Sequence, residues 1–172
     1  MPFNTLQDAP AVAYAGQLAE PLAPKFARSA RLEAVGSAGM VCVRGTDPDD
    51  QVRPATTGDT ITPGNLAGVL ILSDTRPYEQ SSPLAIDTVV AVLRMGTIFL
   101  NFANTPVAGH CVSVTLATGA INSVAQGANA ATVGVGKQMV PGLRVVQSRT
   151  DAGMAAVEVC MFGAQDAATV GA

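Results

Sequence analysis

The chain has 172 residues, of which 48% are hydrophobic, 4% aromatic and 13% charged; 13 acids against 10 bases leave a net charge of −3. Charge at half the roughly 25% of an average soluble domain, with high hydrophobicity, excludes an intrinsically disordered chain. The acidic balance excludes a nucleic-acid binder driven by phosphate neutralisation, and the lack of a three- or seven-residue period excludes collagen-like and coiled-coil chains.

The side chains are small. There are 29 Ala and 17 Gly, and Val, Thr and Ile together supply 41 β-branched residues. β-Branched side chains favour strands. The length suits one domain, or one domain with an appended arm. No run reaches the ~20 apolar residues of a membrane-spanning helix. The longest apolar stretches, Gly68–Leu72 and Val89–Leu93, are strand-sized. An obligate subunit interface, which resembles a core cut in half, is an expected sink for the remaining apolar surface.

The N-terminus lacks a basic segment followed by an apolar one, so it does not read as a signal peptide. Pro2, Pro10, Pro21 and Pro24 break up residues 1–30, which read as an irregular arm. The body is expected over residues 31–172. Phe26–Ala34 has the propensity of a short helix and reads equally as extended arm with Arg28 and Arg31 exposed.

From Gly39 onward the pattern is β. Met40–Arg44 is an expected strand, closed by the turn-rich Gly45–Asp50. Leu66–Ser73 suits a strand buried on both faces. Asp87–Met95 is expected to form a strand, with Gly96 turning the chain into a second strand, Thr97–Phe102. His110–Leu116 and Met154–Phe162 alternate apolar and polar positions, and Leu143–Gln147 is a further short strand. Thr118–Gly136 has few large side chains and reads as a long loop, with one weak strand at Ala131–Val135. The fold class expected is therefore all-β, a jelly-roll or barrel-like sandwich of short antiparallel strands with an irregular N-terminal arm.

Signs of catalysis are sparse. His110 is the sole histidine, hence the only candidate base for a Ser-His-Asp hydrolase, and no G-x-S-x-G elbow accompanies it. Asp47, Asp49 and Asp50 do not meet the calcium-loop template and read as a solvated turn. Gly134-Val135-Gly136-Lys137 fails the phosphate-loop pattern, with Ala131 and Gln138 where Gly and Ser or Thr are needed. Cys42, Cys111 and Cys160 have no metal-ligand or disulfide spacing and read as reduced core thiols. No catalytic residue, cofactor or metal is expected. Contact residues are the better candidates: Phe26, Arg28 and Arg31 in the first segment, and Arg76 and Tyr78 in the polar loop after the apolar strand. Arg and Tyr are enriched at interface hot spots.

The ordered motifs from Arg31 onward resemble the structural cement (head decoration) proteins of tailed bacteriophages. Gly39-Met40-Val41-Cys42-Val43-Arg44-Gly45 looks like the family's early strand and turn. Ala67-Gly68-Val69-Leu70-Ile71 looks like its next strand, and Val89–Ile98 like its strand pair joined at R-x-G. Val107–Val114, Val140–Val145 and Ala152–Val159 look like its closing strands. The resemblance implies a non-enzymatic virion protein on the outer capsid surface, made in the host bacterial cytoplasm. Its implied partners are the major capsid protein and copies of itself, a trimer rather than a dimer, with no direct contact to nucleic acid or membrane. It would cement neighbouring capsid subunits of the expanded shell against internal DNA pressure, residues 1–30 lying across neighbours. The alternative from another class is a carbohydrate-binding β-module on a virion or cell surface.

Overall fold

Alternation of apolar and polar residues lets a strand bury one face, and strand pairing then satisfies its backbone. The computed structural model describes residues 14–19, 25–71, 83–128 and 133–161. Nine strands lie among them: β1 (Phe26–Leu32), β2 (Val41–Arg44), β3 (Gln51–Pro54), β4 (Leu66–Leu70), β5 (Val89–Phe102), β6 (Cys111–Thr115), β7 (Ala120–Val124), β8 (Lys137–Val145) and β9 (Gly153–Cys160). The all-β, barrel-like expectation is met.

The sheet closes on itself twice. Strands β1-β3-β2-β4-β5 form a first ring, shut by the β1–β5 pairing, and β5-β7-β6-β8-β9 form a second, shut by β5–β9. Closure removes the open edges that would otherwise invite aggregation. The 14-residue β5 belongs to both rings. Along one edge it pairs first with β1, from Val89 to Met95, and then with β9, from Met95 to Phe102. The β1–β3 and β5–β7 contacts are parallel, and the other pairings are antiparallel.

Each ring has its own apolar filling. Ala30, Leu32, Cys42, Val52, Leu70, Val90 and Val92 fill the first. Ile98, Leu100, Phe102, Val112, Val114, Val145, Val157 and Val159 belong to the larger cluster, which Val41, Val43, Val69 and Leu93 join from the first ring's other face. The alternation Val41/Cys42/Val43 thus feeds two clusters, and so does Val92/Leu93. A strand buried on both faces reads as a continuous apolar run.

Four expectations change. Of the two readings of Phe26–Ala34, short helix or extended arm, the helix is set aside: Phe26–Leu32 is an extended strand. Gly96 does not end a strand: with φ +135°, open to glycine but not to side-chain-bearing residues, it lets β5 continue where its neighbour changes from β1 to β9. The loop expected over 118–136 contains β7, while Val133–Val135, the described part of the weak strand expected at Ala131–Val135, carries no strand. Cys42 alone of the three thiols is buried; Cys111 is half-buried and Cys160 exposed. Burial pushes the Cys42 thiol up to about 12.

Candidate functional site

The segment 14–19 is fastened to the body. Its backbone fills the edge of β5 between the places where β4 and β7 pair. The Gly16 N–H donates to Phe99 O at 2.8 Å, the Phe99 N–H to Gln17 O at 2.8 Å, and the Ala19 N–H to Thr97 O at 2.9 Å. Gly16 has φ +81°, and a Cβ there would lie 2.7 Å from Ala38 Cβ and 2.8 Å from Gly39 N. Glycine is therefore required both by conformation and by close approach.

The contact residues expected in β1 do not share a face. Phe26 is 46% exposed and sits opposite Met95, where the β1–β5 register shifts. Arg31 points outward, its Nε 3.8 Å from Asp50 Oδ2. Arg28 belongs to the inward column with Ala30 and Leu32, and its Nη1 donates to Pro48 O at 3.5 Å. Arg76 and Tyr78 lie outside the described residues.

Arg28 is joined by two residues that sequence reasoning missed. It lines one recess with Arg44 and Arg94, together with Ala30, Val52, Ala67 and Val92. The recess is one end of the first ring. The inward column of β1 ends there in Arg28, that of β2 passes from Cys42 to Arg44, and that of β5 from Val92 to Arg94. Period-two parity along each strand carried this signal. The convergence was hidden because parity does not say which strands are neighbours.

Polar ties hold the loops around the rings. Arg53 donates twice to Asp59, at 2.7 and 2.6 Å, and the Thr56 N–H adds a third bond at 2.7 Å. The Arg53 guanidinium holds the Asp59 carboxyl down at about 2. Gln138, on β8 of the second ring, donates from Nε2 to Asp59 O at 2.6 Å and accepts the Ile61 N–H on Oε1 at 2.5 Å. Glu33 accepts from the Thr46 hydroxyl and N–H, and these bonds lower its carboxyl below the ordinary value. They fix the acidic turn, where the Asp49 N–H also donates to Asp47 Oδ1 at 3.1 Å.

The remaining motifs have structural partners. His110 Nδ1 lies 3.0 Å from Ser123 Oγ, but Ser123 is buried, and its hydroxyl oxygen also accepts the Val107 N–H at 3.2 Å. The pair joins β7 to the 103–110 connection. Lys137 opens β8 and donates from Nζ to Asn122 Oδ1 at 3.5 Å. Among the described residues no group of three His, Cys, Asp or Glu is placed to hold a metal ion. The exposed aromatics among them are Tyr14 and Phe26.

Comparison with known proteins places this double ring. The model of the family described as structural cement protein (E217 gp24/Pam3 gp6) matches residues 3–160. No curated protein matches the chain. A solved structure titled "The capsid of Myoviridae Phage XM1" contains a chain of the same fold, with a TM-score of 0.62 and 17% identity over 93% of this chain and 98% of that one. The family match covers the segment on β5, both rings and the arginine-lined recess. The chain therefore belongs to the structural cement proteins of phage, non-enzymatic virion proteins that associate with capsid proteins and stabilise the capsid.

Proposed function

We propose that this protein binds the outside of the expanded capsid as a homo-oligomer, a trimer in preference to a dimer, and bridges neighbouring major capsid protein subunits. The observation that carries the reading is the family match across residues 3–160. Binding that is stronger to the expanded lattice than to its precursor stabilises the expanded state by the difference in affinity. Several modest contacts made by one oligomer add through effective concentration. A trimer suits a shell whose subunits meet in threes. Exposed apolar side chains at Val35, Ile86 and Val89 offer contact area to a neighbour. Of the arm expected at residues 1–30, segments 14–19 and 26–30 are held on the body, so residues 1–13 are assigned to reach across neighbours, with segment 14–19 as their anchor on β5.

Co-sedimentation with expanded shells stripped of this protein tests the reading, with unexpanded shells and unrelated capsids as controls. Saturable binding to the expanded shell alone is expected, in multiples of three per site. Equal binding to expanded and unexpanded shells would remove state-selective cementing.

A further inference from the structure

The first ring closes over only part of β1. Pairing with β5 runs from Phe26 to Arg31, whereas pairing with β3 holds only Arg31 and Leu32. Backbone groups alternate in direction along a strand. The Arg31 N–H donates to Asp50 O at 2.8 Å and the Glu33 N–H to Val52 O at 2.9 Å, so the odd-numbered residues here turn their backbone toward β3. The Leu32 N–H donates to Thr88 O at 3.0 Å, on the side of β5. By the same parity the N–H and C=O of Ala27 and Ser29 point away from β5. They lie past the place where β3 begins. Continued one step, the parallel ladder would bring the Asp50 N–H to Ser29 O, but that N–H turns back to Asp47 O at 3.3 Å. Among the described residues nothing pairs with Ala27 or Ser29 on this side, and both residues are exposed.

A bare strand edge is a template for one more strand, because main-chain bonds alone supply affinity for an extended segment. Edges that must stay bare are guarded by Lys, Pro or a bulge. The bulge here lies at the end of the stretch, between Phe26 and Ala27, and the edge itself carries small side chains. The occupant is not the same edge of a second copy. Antiparallel pairing of the edge with itself through Ala27 and Ser29 centres on Arg28 and sets this cation directly opposite its own copy, which is unfavourable. Nor is it segment 14–19, which already fills the other edge of β5. An extended stretch of a capsid protein meets neither objection.

We propose that the free edge of β1 at Ala27 and Ser29 receives an extended segment of an adjoining capsid protein chain, which adds a strand to the first ring. The inference rests on the capsid-binding reading above and names its means, backbone pairing.

The test is residue-resolved amide hydrogen exchange on the full-length protein, free and bound to empty expanded shells. In the free protein Arg28 and Ala30, whose N–H groups face β5, are expected to exchange slowly, and Ala27 and Ser29 fast. On the shell, exchange at Ala27 and Ser29 should slow by about tenfold or more. Ser29→Pro removes one edge N–H and leaves the β5 pairing intact, so it is expected to melt near the wild type and to bind shells about tenfold more weakly. Ser29→Ala keeps the N–H and should bind as the wild type does. Fast exchange at Ala27 and Ser29 in shell-bound protein would overturn the added strand while leaving capsid binding intact, and wild-type affinity in a folded Ser29→Pro would do the same. Should Ser29→Pro fail to fold, the exchange of the wild type decides. Failure of the wild type to bind would instead overturn the capsid reading. Protection at these amides in the free protein would also overturn the proposal: it would assign the edge to a second copy if it rises with concentration, and to another part of the same chain if it does not.

Discussion

Asp59 shows how one carboxylate organises a loop. It receives both arms of the Arg53 guanidinium and the Thr56 N–H, while its own backbone carbonyl receives Gln138 from the other ring. Its folded value of about 2 lies below the ordinary 3.8. A lowered value means that folding favours the charged form. The stabilisation is therefore fully present above about pH 4 and is lost as pH falls through about 2. Asp59→Asn is expected to cost on the order of 1–2 kcal/mol at neutral pH. In denaturant titrations the gap between wild type and variant should stay constant down to about pH 4 and close toward pH 2. A gap independent of pH over that interval would show that the ion pair is not its source. Ser113 has the opposite character. Its hydroxyl is buried without a hydrogen-bond partner among the described residues, an unfavourable state within β6.

Among the elements, the anchored segment and β5 decide the architecture. The φ of +81° at Gly16 and the 2.7 Å approach to Ala38 leave no room for a side chain. Gly16→Ala is expected to cost about 2 kcal/mol locally, from left-handed strain and contact together. Amide hydrogen exchange at Phe99, whose N–H donates to Gln17 O, should accelerate by about 30-fold while β6 and β8 keep their protection. Unchanged exchange at Phe99 would mean that the segment is not held by this close approach. Such a segment is hard to read in a sequence, because its bonds come from a strand about eighty residues away. Strands with apolar runs or clear alternation, β2, β4, β6 and β9, were legible. Those stabilised mainly by neighbours were not. β1 carries Arg and Ser among its apolar residues, β3 has four residues ending in Pro54, and β7 holds Asn122 and Ser123 in buried positions. Their strand state depends on partners, which local propensity does not contain.

For the whole molecule, the two rings are expected to unfold together. They share β5, and Gln138 ties the second ring to the loop after β3. Calorimetry should give one transition, with calorimetric and van't Hoff enthalpies in agreement. Two separable peaks would show that each ring is stable without the other. The class of the fold was legible in composition and alternation. Its double closure was not, because Gly96 carries the usual signature of a turn and only the pairing of Met95 with both Phe26 and Cys160 reveals continuity. The candidate surface was half legible for the same reason. Arg28 was visible as an exposed cation, whereas its convergence with Arg44 and Arg94 depends on strand order.

The shared strand also sets how the protein carries force. Where one ring is gripped by one neighbour and the second ring by another, tension between them runs along the covalent backbone of β5. It does not have to cross an interface between two bodies. The hydrogen bonds to β1 and β9 are then loaded in shear, many at a time, instead of being peeled apart one by one. A single 14-residue strand thereby makes the molecule stiff along its own axis.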